Sequence, residues 1–199
     1  MLPARRLSSL EQAHGDYSSL ERAQLDNVTG LGLDSAANVY FTQMKGRVQK
    51  WSPEGKTLAE WPTRGKDPMG VAVDGAGNIY VGQRGWTYIE KYTQAGKRQA
   101  SWRARPASVW LDSLTDVALD TSGNLLIALW HRHEVYVSRY ATDGAFLGTF
   151  PTGLTESAAG GNGPIRVAAS PDGKIYVTDP ATHSLLRFTA DGRPLPFRK

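Results

Sequence analysis

The sequence predicts an all-β chain built as a β-propeller of four-stranded antiparallel blades. Three observations predict it. A strand–turn–strand unit occurs four times along 199 residues. Each copy is followed by a third strand and a turn glycine at fixed spacing. Each then continues through a weaker fourth strand to an aromatic residue. Four strands per unit, at a period in the forties, is the sequence pattern of propeller blades.

The clearest unit starts at Pro68-Met69-Gly70-Val71-Ala72-Val73, a small and apolar run ending at Asp74. Gly75-Ala76-Gly77-Asn78 supplies turn residues that tolerate positive φ or bond their own backbone. Ile79-Tyr80-Val81 is β-branched and aromatic, as a half-buried strand should be.

In chain order, residues 1–27 are the least regular part. Ser8-Ser9-Leu10-Glu11 and Ser18-Ser19-Leu20-Glu21 each fit a capping box. Two short helices and a lone closing strand over 3–10 followed by a loop are equally open readings there. The four repeats span about 28–67, 68–113, 114–163 and 164–199. Their first hairpins are Thr29-Gly30-Leu31-Gly32-Leu33-Asp34 with Asn38-Val39-Tyr40-Phe41, the unit quoted above, Thr115-Asp116-Val117-Ala118-Leu119-Asp120 with Asn124-Leu125-Leu126-Ile127, and Ile165-Arg166-Val167-Ala168-Ala169-Ser170 with Lys174-Ile175-Tyr176-Val177. Third strands end at Trp51, Tyr92, Tyr140 and Phe188. Turn glycines follow at Gly55, Gly96, Gly144 and Gly192, and the fourth strands reach Trp61, Trp102, Phe150 and Phe197.

Spacing separates two faces. Asp34 to Tyr40 is six residues, as are Asp74 to Tyr80, Asp120 to Leu126 and Ser170 to Tyr176. Trp51 to Gly55 is four, and the same step is four in every unit. In contrast, Gly55 to Asp74 is 19, Gly96 to Asp120 is 24 and Gly144 to Ser170 is 26. Turns after strands one and three share one end of a blade; the turn after strand two and the link to the next blade share the other. One face is therefore uniform and the other varies, and functional loops are expected on the varying one.

Composition narrows the function classes. With no cysteine, disulfides, thiolate nucleophiles and cysteine zinc sites are excluded. A net charge of +4 permits an anionic partner without requiring one. No run approaches the roughly 18 apolar residues of a membrane helix. Residues 1–10 hold an Arg pair with no apolar stretch behind it, so no signal peptide is expected. The chain as written reads as cytoplasmic, and as extracytoplasmic if its natural start lies upstream.

Candidate chemistry is sparse. Gly75-Ala76-Gly77 lacks the third glycine and the helix of a dinucleotide fingerprint and reads as a hairpin turn. His131 and His133, at period two, share a face on a strand, and His183 lies in the matching loop of the next unit; a metal would still need a third ligand. No metal or other cofactor is expected. Gly30, Gly70, Asp116 and Arg166 occupy matched positions and should ring the mouth of a central channel, the glycines leaving room and Asp116 and Arg166 forming a pair. The variable face gathers Arg64, Lys66, Arg84, Trp86, Arg103, Arg105, Trp110, Trp130, His131, Arg132 and His133. Interleaved Arg and aromatic residues suit a protein interface and equally suit stacking on bases.

Units of the form Pro-x-Gly-Val-Ala-Val-Asp-x-x-Gly-Asn-Ile-Tyr-Val, followed by a basic third strand and an Asp-Gly turn, resemble NHL repeats. The resemblance covers about residues 28–198. It is closest in units two and four, where Tyr176-Val177-Thr178-Asp179, His183 and Leu186-Arg187-Phe188 parallel the part that gives the family its name. The resemblance implies about six blades where four are present, so a closed four-bladed ring, an arc pairing with another copy and part of a larger propeller all stay open. Lactonase-type relatives hold a divalent cation with several Glu, Asn and Asp groups, of which only Asp116 has a counterpart here. Amidating-lyase relatives use several histidines on zinc, and the four of this chain lie off the inner strands.

Three functions follow as expectations. The first is a binding scaffold for a protein or peptide, docked on loops 82–88 and 128–134 and the link 102–114. The second is single-stranded RNA binding on the same face. The third is lyase or gluconolactonase-like chemistry at the channel mouth, with Asp116 and Arg166. A homo-oligomer is expected if the ring is open.

Overall fold

A computed structural model describes residues 25, 27–84, 87–104, 113–131, 134–155, 165–180 and 182–197. Among them every regular element is a strand. Blade 1 is β1 (Val28–Leu33), β2 (Val39–Gln43), β3 (Arg47–Trp51) and β4 (Thr57–Pro62). Blade 2 is β5 (Pro68–Val73), β6 (Ile79–Gln83), β7 (Tyr88–Tyr92) and β8 (Arg98–Arg103). Blade 3 is β9 (Ser113–Leu119), β10 (Leu125–His131), β11 (Glu134–Tyr140) and β12 (Phe146–Thr155). Blade 4 is β13 (Val167–Ala169), β14 (Ile175–Asp179) and β15 (Ser184–Phe188). Strands pair antiparallel in chain order within each sheet. The molecule is a four-bladed β-propeller. No helix among the described residues is long and apolar enough to cross a membrane.

Blade 4 departs from the expected four strands. Beyond β15 a single bridge joins Phe188 to Pro194. Pro194 and Pro196 have no N–H to give a ladder, so only Leu195 between them donates, to the Arg187 carbonyl at 2.7 Å.

The six-residue Asp–Tyr spacing has a local cause. In blade 2 one Asp74 oxygen accepts the Ala76 and Asn78 backbone N–H groups at 3.0 and 2.8 Å. The other accepts Asn78 Nδ2 at 2.8 Å and the Tyr80 hydroxyl at 2.9 Å. Asp34 makes the same four bonds in blade 1, ending on Tyr40 at 3.1 Å. Leu126 in blade 3 has no hydroxyl, and Arg139 takes that oxygen of Asp120 instead, at 3.1 Å. The carboxylate thus closes the turn and ties it to the second strand.

The core is a series of layers between blades. Tyr40, Val48 and Trp61 meet Val71, Ile79, Val81 and Tyr92 between blades 1 and 2. Tyr80 and Ile89 meet Leu114, Val117, Leu125, Ile127 and Tyr140 between blades 2 and 3. Leu126, Ala128 and Val137 meet Val167, Ile175, Val177 and Phe188 between blades 3 and 4. Burying such faces is what holds consecutive blades together.

Candidate functional site

The variable face carries a cavity of about 520 Å³ between blades 1 and 2. Arg64, Gly65, Lys66 and Asp67 line it from the link that follows β4, and Gln83, Tyr88, Glu90 and Arg103 from blade 2. Its floor is Glu90, which is buried. The Arg64 backbone N–H donates to both Glu90 oxygens at 3.2 Å. Gln83 Nε2 donates at 3.2 Å and the Tyr92 hydroxyl at 2.6 Å. Burial first, and then the bond to Glu90, push the Tyr92 phenol well above its ordinary value, so it stays a donor. Glu90 therefore clamps the incoming link onto the outer strands of blade 2. The Gln83 side chain packs so close to Gly65 that a Cβ there would lie 2.3 Å from Gln83 Oε1. That oxygen is buried and accepts no hydrogen bond among the described residues.

The cations on the rim are differently placed. The Arg64 guanidinium stands over the Tyr88 ring at 5.5 Å and the Arg103 guanidinium at 5.7 Å. Stacking on the ring positions both forks without consuming their N–H groups. Among the described residues no carboxylate lies within ion-pair distance of Arg64, Lys66 or Arg103; Asp67 is engaged by Arg84 at 3.9 Å. The cavity can accept an anionic group presented to two arginines and a lysine.

The channel mouth is built otherwise than expected. Gly30 and Gly70 do not leave room there: a Cβ on Gly30 would lie 2.3 Å from the Met69 carbonyl, and one on Gly70 2.3 Å from Val117 N. These glycines let the inner strands of successive blades abut. At the third matched position the Asp116 carboxylate accepts Val167 N at 3.0 Å and pairs with Arg166 at 3.4 Å. Arg166 in turn donates to the Thr29 carbonyl of blade 1 at 2.9 Å. Burial raises the Asp116 pKa, against the lowering pull of Val167 N–H and Arg166. A shallow cavity of about 320 Å³ opens beside them, lined by Val28, Thr29, Gly30, Leu31, Asp116 and Arg166.

Of the other expected residues, Arg84 is exposed at the start of the β6–β7 loop. Trp130 packs against the layer between blades 3 and 4. His131 ends β10 and is buried, its Nδ1 without a partner among the described residues. Trp86, Arg105, Trp110, Arg132 and His133 lie outside the described residues. Among the described residues no three His, Asp or Glu side chains converge as a metal site. Sequence reading included Gln83 and Tyr88 only as part of the 82–88 loop and passed over Glu90 as an ordinary third-strand residue. The one available signal was Glu90 itself, a carboxylate two residues before the conserved-spacing aromatic, where blades 3 and 4 carry Ser138 and Leu186.

No protein-family model matches the sequence, and no curated protein matches it. Solved structures do match. A streptogramin B lyase structure aligns over 84% of this chain and 53% of its own, with a TM-score of 0.64 and 16% identity. Virginiamycin B lyase from Staphylococcus aureus aligns over 86% of this chain and 56% of its own, at 0.65 and 14%. A gluconolactonase from Xanthomonas campestris aligns over 87% of this chain and 62% of its own, at 0.63 and 19%. The chain thus spans between half and two thirds of the length of these proteins, and what it shares with them is the β-propeller fold.

Proposed function

We propose that this chain is an NHL-type propeller acting as a binding module, and that its variable-loop face captures an acidic segment of a protein or peptide. One observation carries the reading: Arg64, Lys66 and Arg103 rim a cavity of about 520 Å³ with no carboxylate partner among the described residues. Arginine and tyrosine are the side chains that most often anchor an interface. Arg84 extends the same surface.

The test is fluorescence anisotropy with a labelled oligo-glutamate peptide, with oligo-lysine and oligouridylate as comparators. The glutamate peptide is expected to bind, and to bind less tightly as salt rises. Arg64→Ala combined with Arg103→Ala should weaken it at least about tenfold, or about 1.4 kcal/mol. Unchanged affinity in that variant would sink the placement. Preferred capture of oligouridylate would move the face to RNA.

A second reading puts lyase- or lactonase-type chemistry at the channel mouth. It is favoured by the fold shared with lyase and gluconolactonase structures and by a buried carboxyl, Asp116, beside an open cavity. The two readings separate on Asp116→Asn, which leaves peptide capture intact under the first and abolishes turnover under the second.

A further inference from the structure

Building on the reading of the cavity between blades 1 and 2 as a capture site for an acidic segment, we propose that the group it takes is a phosphorylated side chain, a phosphate monoester on serine or threonine, in preference to a carboxylate. Charge is the first reason. Asp67 and Arg84 offset each other, while Arg64, Lys66 and Arg103 stand against the single carboxylate of Glu90. The surplus is two positive charges. A glutamate side chain brings one negative charge, whereas a phosphate monoester brings about two near neutral pH. Glu90 does not compete for the rim, because it is buried and already accepts from the Arg64 backbone, Gln83 and Tyr92.

The donors are the second reason. Arg64 and Arg103 are both held on one ring, Tyr88, with their guanidinium carbons 5.5 and 5.7 Å from its centroid. Lys66 lies two residues from Arg64 on the same link. The Tyr88 hydroxyl makes no hydrogen bond among the described residues, and neither do the backbone N–H groups of Gly65 and Lys66. A carboxylate has two oxygens in one plane and is matched by one guanidinium fork. The three tetrahedral oxygens of a phosphate can be shared between two forks and an ammonium.

These donors sit on backbone that is fixed before any ligand arrives. Thr63 N donates to the Gly46 carbonyl at 2.9 Å, and Thr63 Oγ1 to the Gly65 carbonyl at 2.6 Å. Arg84 N donates to the Asp67 carbonyl at 3.0 Å, and Ala104 N, next to Arg103, to the Thr87 carbonyl at 2.7 Å. Donors ordered in advance lose little entropy on binding. At about 520 Å³ the cavity admits the residue that carries the phosphate as well as the phosphate itself. A peptide suits it better than a nucleic acid. Tyr88 is the aromatic side chain lining it among the described residues, and that ring is engaged by two guanidinium groups where a base would need to stack.

The experiment is fluorescence anisotropy with a labelled Gly/Ser peptide carrying one phosphoserine, beside the same peptide with serine or glutamate at that position. The phosphopeptide is expected to bind at least about tenfold more tightly than the glutamate peptide. Arg64→Lys combined with Arg103→Lys keeps the charge and removes the forks, so it should erase that preference while the circular dichroism spectrum stays that of the parent chain. Between about pH 7 and 5 the phosphopeptide should also lose affinity relative to the glutamate peptide, as the phosphate dianion takes up a proton. Arg64, Lys66, Asp67, Arg84, Tyr88, Glu90 and Arg103 face both peptides alike, so the difference in slope belongs to the ligand. Equal affinity for the phosphoserine and glutamate peptides would overturn the phosphate preference and leave the acidic-segment reading standing. No capture of either peptide or of oligo-glutamate would overturn both. Tighter capture of a 5′-phosphorylated oligouridylate would overturn the peptide in favour of a nucleic-acid end.

Discussion

Two aspartates with opposite shifts show how single residues set the pH response of this fold. Burial alone would raise the Asp74 pKa, but the bonds from Asn78, Tyr80 and Ala76 outweigh it and hold the carboxyl below its ordinary value. A depressed folded pKa contributes stability that is present above the unfolded value of about 3.9 and is lost as pH falls through the folded one. Asp116 is raised, by burial first. Its charge is therefore a cost near neutrality, relieved as pH falls through its folded value. Urea unfolding between about pH 3 and 7 should separate them. Asp74→Asn is expected to lose about 1–3 kcal/mol at neutral pH, since its amide cannot accept from both Asn78 Nδ2 and the Tyr80 hydroxyl. It should also lose stability less steeply than wild type on acidification. Asp116→Asn should remove the opposite slope while leaving an oxygen to accept Val167 N–H.

Between elements, the turn glycines of the outer hairpins do two things at once. Gly144 has φ +96° and sits on Trp102, whereas Gly123, in an inner hairpin, has φ +79° and open space around it. Gly123→Ala should cost about 1 kcal/mol for the positive φ alone. Gly144→Ala adds the displacement of Trp102 and should cost about 1–3 kcal/mol more, read as a difference in urea midpoints. These hairpins were legible in the sequence because their causes are local: an Asp closing a turn onto a Tyr six residues on. The Glu90 clamp was not, because its donor Arg64 comes from the preceding blade, 26 residues away. Spacing matched Gly30 with Gly70 between blades, but only the packed inner strands show that backbone fills the space beside them.

Across the whole molecule, the turns of one end repeat at fixed spacing while the links at the other end vary in length. The blade architecture could be read from repetition, since every unit restates it, whereas repetition left open whether four units close a ring. The cavity rimmed by Arg64, Lys66 and Arg103 could not, since it forms where a short link from blade 1 passes over blade 2. The last strand position holds a further consequence. With Pro194 and Pro196 in place of amide donors, the outer edge of blade 4 cannot template an incoming strand, and a molecule made of stacked sheets is protected there against fibre growth. Restoring the donors with Pro194→Thr and Pro196→Thr should shorten the lag of thioflavin-positive aggregation under mildly denaturing conditions. Two prolines near the end of the chain thereby act as a solubility device.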